Sequence, residues 1–348
     1  MQNTVMERRP TPSVDHVSRV GSWFKNAVLL LVSFAIAVSA AELCVRLFVP
    51  VRDLGAQFTV NDPIMGKRIK RQFHTVRETP EFKMAFTSNS LGFRGPEPAH
   101  PTPDSVLFLG DSFTMGYGVS DGEEFPALIR QKLKANYGES ALAVVNTGMG
   151  NNGNGRWIKL LKNEADQYKA NVVVMQIMVN DYDDNIREQY FRLDQESKLI
   201  ELPVKQSWAK TIEHAIDAIP GVSDSHLYGL VRQTYAVYAH KIKATSTDAP
   251  GLNDYAERLT ERLVSESIEL CREKGITVYA VLVQIEGIRL ERMHSLLASQ
   301  NVPYLATPSP QTRPDLHYPT DGHWNAQGHR YVAEALFEQL KKVHPLHK

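Results

Sequence analysis

The chain is 348 residues long, with 39 Lys+Arg against 39 Asp+Glu, 43% hydrophobic and 22% charged residues. A net charge of zero excludes the global basic field that collects on phosphate backbones, so nucleic acid is not an expected partner, and the composition excludes disorder and fibrous repeats. Two cysteines, Cys44 and Cys271, exclude a disulfide framework and a cysteine-rich zinc module, and the length allows about two domains or one elaborated one.

Residues 1–25 are polar and irregular, with Pro10, Pro12, Arg8, Arg9, Arg19 and Lys25, and precede the uncharged run Asn26–Ala41. Ala27–Ala41 alone is short for a hydrocarbon core of about 30 Å, which needs roughly 20 residues. Helical continuation through Glu42–Val49 supplies the length, and Glu42 and Arg46 stand at i and i+4, where they can pair and snorkel to the interface. We therefore expect a signal-anchor helix over residues 26–49. The basic lead-in predicts residues 1–25 on the cytoplasmic side and the body exported, in a bacterial inner membrane with the main domain on the periplasmic face. A cleaved signal peptide, with Val38-Ser39-Ala40 as its small-residue site, is the alternative.

Residues 50–103 are polar and proline-rich without sustained helical period, which predicts an extended segment between anchor and main domain; within it, Asn89–Gly95 reads as a turn followed by an anchoring aromatic. From residue 104 short apolar runs alternate with helical stretches. Ser105–Leu109, Ala141–Val145, Asn171–Val179, Ile276–Val283 and Val302–Ala306 are the predicted strands. Glu124–Tyr137, Trp157–Tyr168, Tyr255–Lys274 and Gly328–Leu340 are predicted helices, with Cys271 a buried thiol. Strands alternating with helices imply a parallel sheet covered on both faces. About 70 residues, 182–250, interrupt the alternation and are read as an insertion over one end of the sheet, with a hairpin near Tyr190–Val204 and helices near Trp208–Ile219 and Tyr228–Lys243.

In an open parallel sheet, functional groups gather at the carboxyl ends of the strands. Gly110-Asp111-Ser112-Phe113 puts a serine on a strand-to-helix turn, with its N–H free at the positive end of a helix. Asn146-Thr147-Gly148-Met149-Gly150 is a turn whose N–H groups can point inward, and Val179-Asn180-Asp181 offers an amide donor. Asp321-Gly322-His323-Trp324-Asn325 precedes the last helix.

These four blocks, with Asn89–Gly95 ("NSLGFRG") ahead of them, resemble the SGNH (GDSL-type) esterase and acyltransferase superfamily, in its membrane-anchored bacterial branch. The resemblance implies a flavodoxin-like three-layer α/β/α domain over residues 104–348 with a five-stranded parallel sheet. It also implies Ser112 as nucleophile, His323 as general base and Asp321 as the group that orients the imidazole. The implied oxyanion donors are the N–H of Ser112, a glycine-turn N–H and the Asn180 amide. Gly150 is the chosen turn donor, with Asn151 and Gly153 as alternatives. Such a hydroxyl needs a base to take its proton, and the base a third group to fix its tautomer. Two features depart from the usual pattern: one residue rather than two separates Asp321 from His323, as in the branch containing alginate acetyltransferases, and Met178 stands where glycine is usual.

Other readings are weaker. Gly148-x-Gly150-x-x-Gly153 matches a dinucleotide fingerprint but follows the wrong strand and lacks the acidic partner. Asp111 is expected to bond neighbouring loops, Asp181 to sit behind the site, His317 in a loop and His329 on a helix surface. His214, His226 and His240 lack metal-ligand spacing. No cofactor or metal is implied. The expected function is a serine esterase or acyl hydrolase on an envelope carbohydrate or lipid ester, with O-acyl transfer to an envelope polysaccharide, or an inert carbohydrate-binding protein on the same fold, as alternatives.

Overall fold

The computed structural model describes residues 14–49, 51, 54–55, 57–99, 104–138, 141–206, 208–235, 252–343 and 346, with the side chains of 14–21, 252 and 343 left undescribed. Residues 1–13, most of the expected helix beyond 235, and His240 lie outside these.

The first helix, α1 (Val14–Phe48), starts well before Asn26 and runs unbroken to Phe48. Its stretch Ser22–Phe48 is long and apolar enough to cross a membrane, with a mean hydropathy of 2.4 and none of its apolar window buried. Arg46 and Glu42 pair along it at 3.2 Å.

Residues 57–99 run extended but are not a bare connector. They form two antiparallel hairpins, β1 (Thr59–Asp62) with β2 (Gly66–Ile69), and β3 (His74–Glu78) with β4 (Lys83–Thr87). Alternation explains both the folding and the difficulty of seeing it: β3 and β4 bury every second residue, Met84 and Phe86 in one strand but Thr75 and Arg77 in the other, which leaves Val76 exposed. Asn89 closes the following turn, its Oδ1 accepting the N–H of Leu91 and Phe93 at 3.0 and 3.1 Å. Phe93 is buried against Tyr168, as the anchoring aromatic was expected to be.

The main body then follows in order: β5 (Ser105–Leu109), α2 (Ser112–Met115), α3 (Phe125–Tyr137), β6 (Ala143–Asn146), α4 (Gly155–Asn163), β7 (Ala170–Met178) and α5 (Asp181–Glu188). A small hairpin, β8 (Phe191–Leu193) with β9 (Leu199–Glu201), leads to α6 (Trp208–Asp217) and to helix α7 over residues 226–235. The chain closes with α8 (Leu252–Glu273), β10 (Thr277–Val283), α9 (Gly287–Ser299), β11 (Tyr304–Ala306) and α10 (Ala326–Val343).

Five strands, in the order β11-β10-β7-β5-β6, form one fully parallel sheet. In sequence order of its own strands this is 2-1-3-4-5, the flavodoxin-like winding. Both faces are covered, so the strands are continuous apolar runs and not alternating ones. On one face Leu107, Val173, Met175 and Ala280 pack with Trp157 and Leu161 of α4, Ile268 and Cys271 of α8, and Met293 of α9. On the other, Val106, Phe108, Val174 and Val281 pack with Ile129 of α3 and Leu336 and Phe337 of α10.

His329 differs from expectation: it is fully buried, not on the helix surface. Positions 329, 332, 333, 336, 337 and 340 form the core stripe of α10 at helical spacing, and the histidine occupies its first turn. Its Nδ1 accepts the N–H of Phe125 at 3.2 Å. Burial pushes its pKa down to about 3, so it is a neutral core group. His317 is a loop residue, also buried, with Nδ1 against the Arg313 carbonyl at 3.0 Å.

Candidate active site

The apolar strand β5 delivers the chain into the core at Gly110, where a Cβ would lie 2.2 Å from Thr114 Oγ1 and 2.5 Å from Gln176 Oε1. Only glycine allows so close a turn. Asp111 then caps α2, its Oδ1 accepting the Phe113 N–H at 3.0 Å, and Gly116 closes the single turn at φ +81°. Ser112 is thereby held on the first residue of a one-turn helix at the carboxyl end of the sheet, with a half-buried side chain.

The C-terminal loop reaches the same point. Gly322, at φ +83°, folds the single intervening residue back so that Asp321 and His323 side chains meet despite their short spacing. His323 Nδ1 lies 2.5 Å from Asp321 Oδ1, and His323 Nε2 lies 2.7 Å from Ser112 Oγ. The ring rests against Phe113 and Tyr117, with centroids 4.7 and 5.1 Å away, and buried Trp324 anchors the next residue. Burial alone would raise the Asp321 pKa, but the hydrogen bond and charge of His323 outweigh it and hold the carboxyl below the usual range. The chain Ser–His–Asp is therefore connected, with its acid ionised.

Of the expected turn donors, Gly150 faces the serine: a Cβ there would stand 3.6 Å from Ser112 Cβ. Gly153 is turned away, its N–H given to Glu188 Oε2 at 3.0 Å, and the Asn151 carbonyl accepts from Arg187 at 3.2 Å. Asn180 caps α5, where its Nδ2 lies 3.4 Å from Asp184 Oδ2. Met178 is half-buried at the mouth of β7, and its N–H donates to Asp181.

Beneath these groups lie three buried carboxyls, Asp111, Asp181 and Asp184. Asp181 Oδ2 accepts from Asn154 Nδ2 at 2.8 Å and from the Met178 N–H at 3.1 Å. Burial raises the pKa of Asp181 well above the carboxylate range, and the charge of Asp111 adds to it. Burial also raises Asp111 and Asp184. Asp181 thus lies behind the site, as expected, where burial and the neighbouring Asp111 both favour its protonated form. Among the described residues no cluster of His, Cys, Asp and Glu is arranged to hold a metal.

Three residues that sequence reasoning did not single out tie the hairpins to the site. Lys67 of β2 donates to the carbonyls of Gly150, at 3.3 Å, and Asn151, and pairs with Glu188 at 3.3 Å. Glu81, between β3 and β4, accepts the N–H groups of Thr320 and Asp321 at 2.9 and 2.7 Å. Arg94 donates to the carbonyls of Met115, Gly116, Val119 and Ala85 and pairs with Asp121 at 2.9 Å. The hairpin segment therefore grips three of the four loops that carry the site. The only signal in the sequence was Arg94, within the NSLGFRG stretch.

No curated protein sequence matches the chain. Among solved structures, the psychrotrophic esterase EstA from a Pseudoalteromonas species is similar at 12% identity, covering 68% of this chain and 97% of that one, with a TM-score of 0.40. A GDSL-like lipase from Bacteroides thetaiotaomicron is similar at 12% identity, covering 72% of this chain and 93% of that one, with a TM-score of 0.37. The family model described as the GDSL-like lipase/acylhydrolase family matches residues 108–331, from β5 into α10. That match takes in well over half of the sequence and every block from Gly110 to His323, so the chain belongs to the GDSL-like lipase/acylhydrolase family and is an ester-hydrolysing serine hydrolase.

Proposed function

We propose that Ser112, His323 and Asp321 carry the reaction, on an acyl ester of an envelope carbohydrate or lipid. The observation that supports this reading is the continuous hydrogen-bonded path from Ser112 Oγ through His323 to Asp321, at 2.7 and 2.5 Å. Ser112 Oγ attacks the ester carbonyl carbon as His323 Nε2 takes its proton, and the carbonyl electron pair moves onto oxygen. The N–H groups of Ser112 and Gly150 and the Asn180 amide stabilise that oxyanion; losing one such donor typically costs about 10²–10³ in rate. The tetrahedral intermediate collapses with loss of the alcohol, which receives the proton from Nε2. Water, deprotonated by Nε2, then attacks the acyl-enzyme and releases the acid and free Ser112 Oγ–H. Asp321, ionised throughout, holds the ring and stabilises the imidazolium.

The second reading is acyl transfer, in which a sugar hydroxyl takes the place of water. It is favoured by the single residue, Gly322, between Asp321 and His323. α1 serves as an uncleaved single-pass anchor over residues 26–49, with 1–25 cytoplasmic, and 50–103 and the hydrolase domain 104–348 outside a bacterial inner membrane. A mature chain beginning at Ala41, read by mass spectrometry, would exclude the anchor.

The deciding experiment is intact mass spectrometry of the full chain in detergent after a fluorophosphonate, beside Ser112→Ala. One adduct on the wild type and none on the variant, with aryl-ester turnover lost and the melting temperature kept, is the expected result. Full turnover by Ser112→Ala would overturn the assignment. Acylated oligosaccharide on adding an acceptor would favour transfer over hydrolysis.

A further inference from the structure

α6 is inside out. Three of its polar side chains bond the body: Lys210 Nζ donates to Thr59 Oγ1 at 2.8 Å, Thr211 Oγ1 accepts from Asn61 at 3.0 Å, and Asp217 accepts the Gln57 N–H at 2.7 Å and pairs with Lys70 at 3.4 Å. Its apolar side chains face away. Trp208 and Ile212 of the helix, and Ile219 two residues past its end, are 75%, 50% and 53% exposed. Trp208, Ile212 and Ala215 stand at i, i+4 and i+7, one stripe of the helix surface, and Ile219 adds an exposed apolar side chain just beyond its end. A helix in a water-soluble domain turns such a stripe inward. α7 repeats the inversion, with Val231 and Tyr235 at i and i+4 exposed while Arg232 reaches back to the Gly55 carbonyl at 3.1 Å.

The same helices hold the end of α1. Glu42 accepts from Ser225 Oγ and from the N–H groups of His226 and Leu227, at 2.8, 3.0 and 2.8 Å, so the anchor helix supplies the N-terminal cap of α7. The uncharged stretch Asn26–Ala41 rises about 24 Å of a hydrocarbon thickness of about 30 Å, so Glu42, in the last turns of the 26–49 anchor, lies near the interface where α1 leaves the bilayer. The inverted stripe thus begins where a lipid-facing helix ends, and it carries Trp and Tyr, the side chains that favour the headgroup boundary.

We propose that the outer faces of α6 and α7 lie in the interfacial layer of the leaflet from which α1 emerges, with the bilayer itself as their partner. This rests on the reading of α1 as a spanning helix. Anchor and interfacial helices then fix the orientation of the body, keeping the enzyme against the membrane surface instead of loose on a tether.

The test is tryptophan fluorescence of the full chain in nanodiscs whose lipids are brominated near the headgroup end of the acyl chains. Trp157 and Trp324 are buried, so in Trp23→Phe the exposed reporter is Trp208, and in Trp208→Phe it is Trp23. The expected result is loss of the Trp208 emission in brominated lipid, absent from the double variant. Quenching of Trp23 without quenching of Trp208 would overturn the proposal and leave the anchor standing. Failure to quench Trp23 as well would remove the anchor, and the proposal with it. Trp208 emission that shifts to the blue only in discs holding two copies, independent of bromine, would overturn it in favour of a second chain as the partner.

Discussion

The carboxylate of Glu81 accepts the backbone N–H of Asp321 at 2.7 Å across 240 residues of chain, and the neighbouring N–H of Thr320 at 2.9 Å. The residue that orients His323 is therefore itself oriented by a hairpin that precedes the sheet. The turn is further fixed by Tyr318, which packs on Phe82 with ring centroids 4.9 Å apart and donates its hydroxyl to the Gly118 carbonyl at 2.8 Å. Glu81→Ala leaves Ser112 and His323 in place but frees the loop that aligns them. Misplacing a catalytic group by about 1 Å can cost roughly 100-fold, so kcat should fall about 10- to 100-fold with KM little changed. Aryl-ester kinetics check this; an unchanged kcat would show that the loop holds itself.

Lys67 does for the glycine turn what Glu81 does for the acid loop. Lys67→Met removes the donor to the Gly150 and Asn151 carbonyls and strands Glu188 in a buried position. Breaking a buried pair costs about 3–5 kcal/mol, mostly through the charge left behind. Lys67→Met with Glu188→Gln should recover much of that stability, because the Gln oxygen still accepts the Gly153 N–H, but should not recover turnover. Denaturant midpoints and kcat on the single and double variants separate the two effects. Parallel recovery of both would mean Lys67 acts on folding alone.

The sheet was legible from the sequence because strands buried on both faces read as continuous apolar runs, and the five predicted runs coincide with β5, β6, β7, β10 and β11 to within a few residues. Ser112, Asn180, Asp321 and His323 were legible because each sits in a contiguous block at an end of the chain's regular elements. Gln72–Thr87 was not: its strands are short, β3 buries Thr75 and Arg77 instead of apolar residues, and their core is completed by Phe58 and Ile69 and, far along the chain, by Met115 and Met149. Lys67 and Glu81 were invisible for the same reason, since nothing local distinguishes a lysine or glutamate that meets a loop 84 or 240 residues away. The period of α6 gave its apolar stripe but not its direction, which depends on what Lys210 and Asp217 find across the interface.

Arg94 supports the Ser112 loop by donating to four carbonyls, and its side chain is fully buried beside Asp121 and Glu124. A lysine keeps the charge but has a point-like head that cannot span the same fork. Arg94→Lys should therefore destabilise the protein by about 2–4 kcal/mol, and Arg94→Met, which also leaves carboxylates unpaired, by about 3–5 kcal/mol. Chemical denaturation in detergent measures both. Equal stability of Arg94→Lys and wild type would refute the fork.

The floor of the site gives a pH signature. Asp181 is fully buried, its Oδ1 has no hydrogen-bond partner among the described residues, and its pKa is raised first by burial and then by the charge of Asp111. Asp184 adds like charge, and Asn154 and the Met178 N–H oppose the shift. A carboxyl whose native pKa exceeds its unfolded value of about 3.9 binds its proton more tightly in the folded state. Its stabilising contribution is full below roughly pH 4 and is lost as pH rises through the native value. Asp181→Asn removes that titration while keeping an oxygen for Asn154 and the Met178 N–H. The variant should match the wild type near pH 4 and exceed it by a growing margin toward pH 8. Thermal melts across that range decide it: a variant less stable than the wild type at pH 8 would mean that Asp181 is held there as a charge and not as an acid.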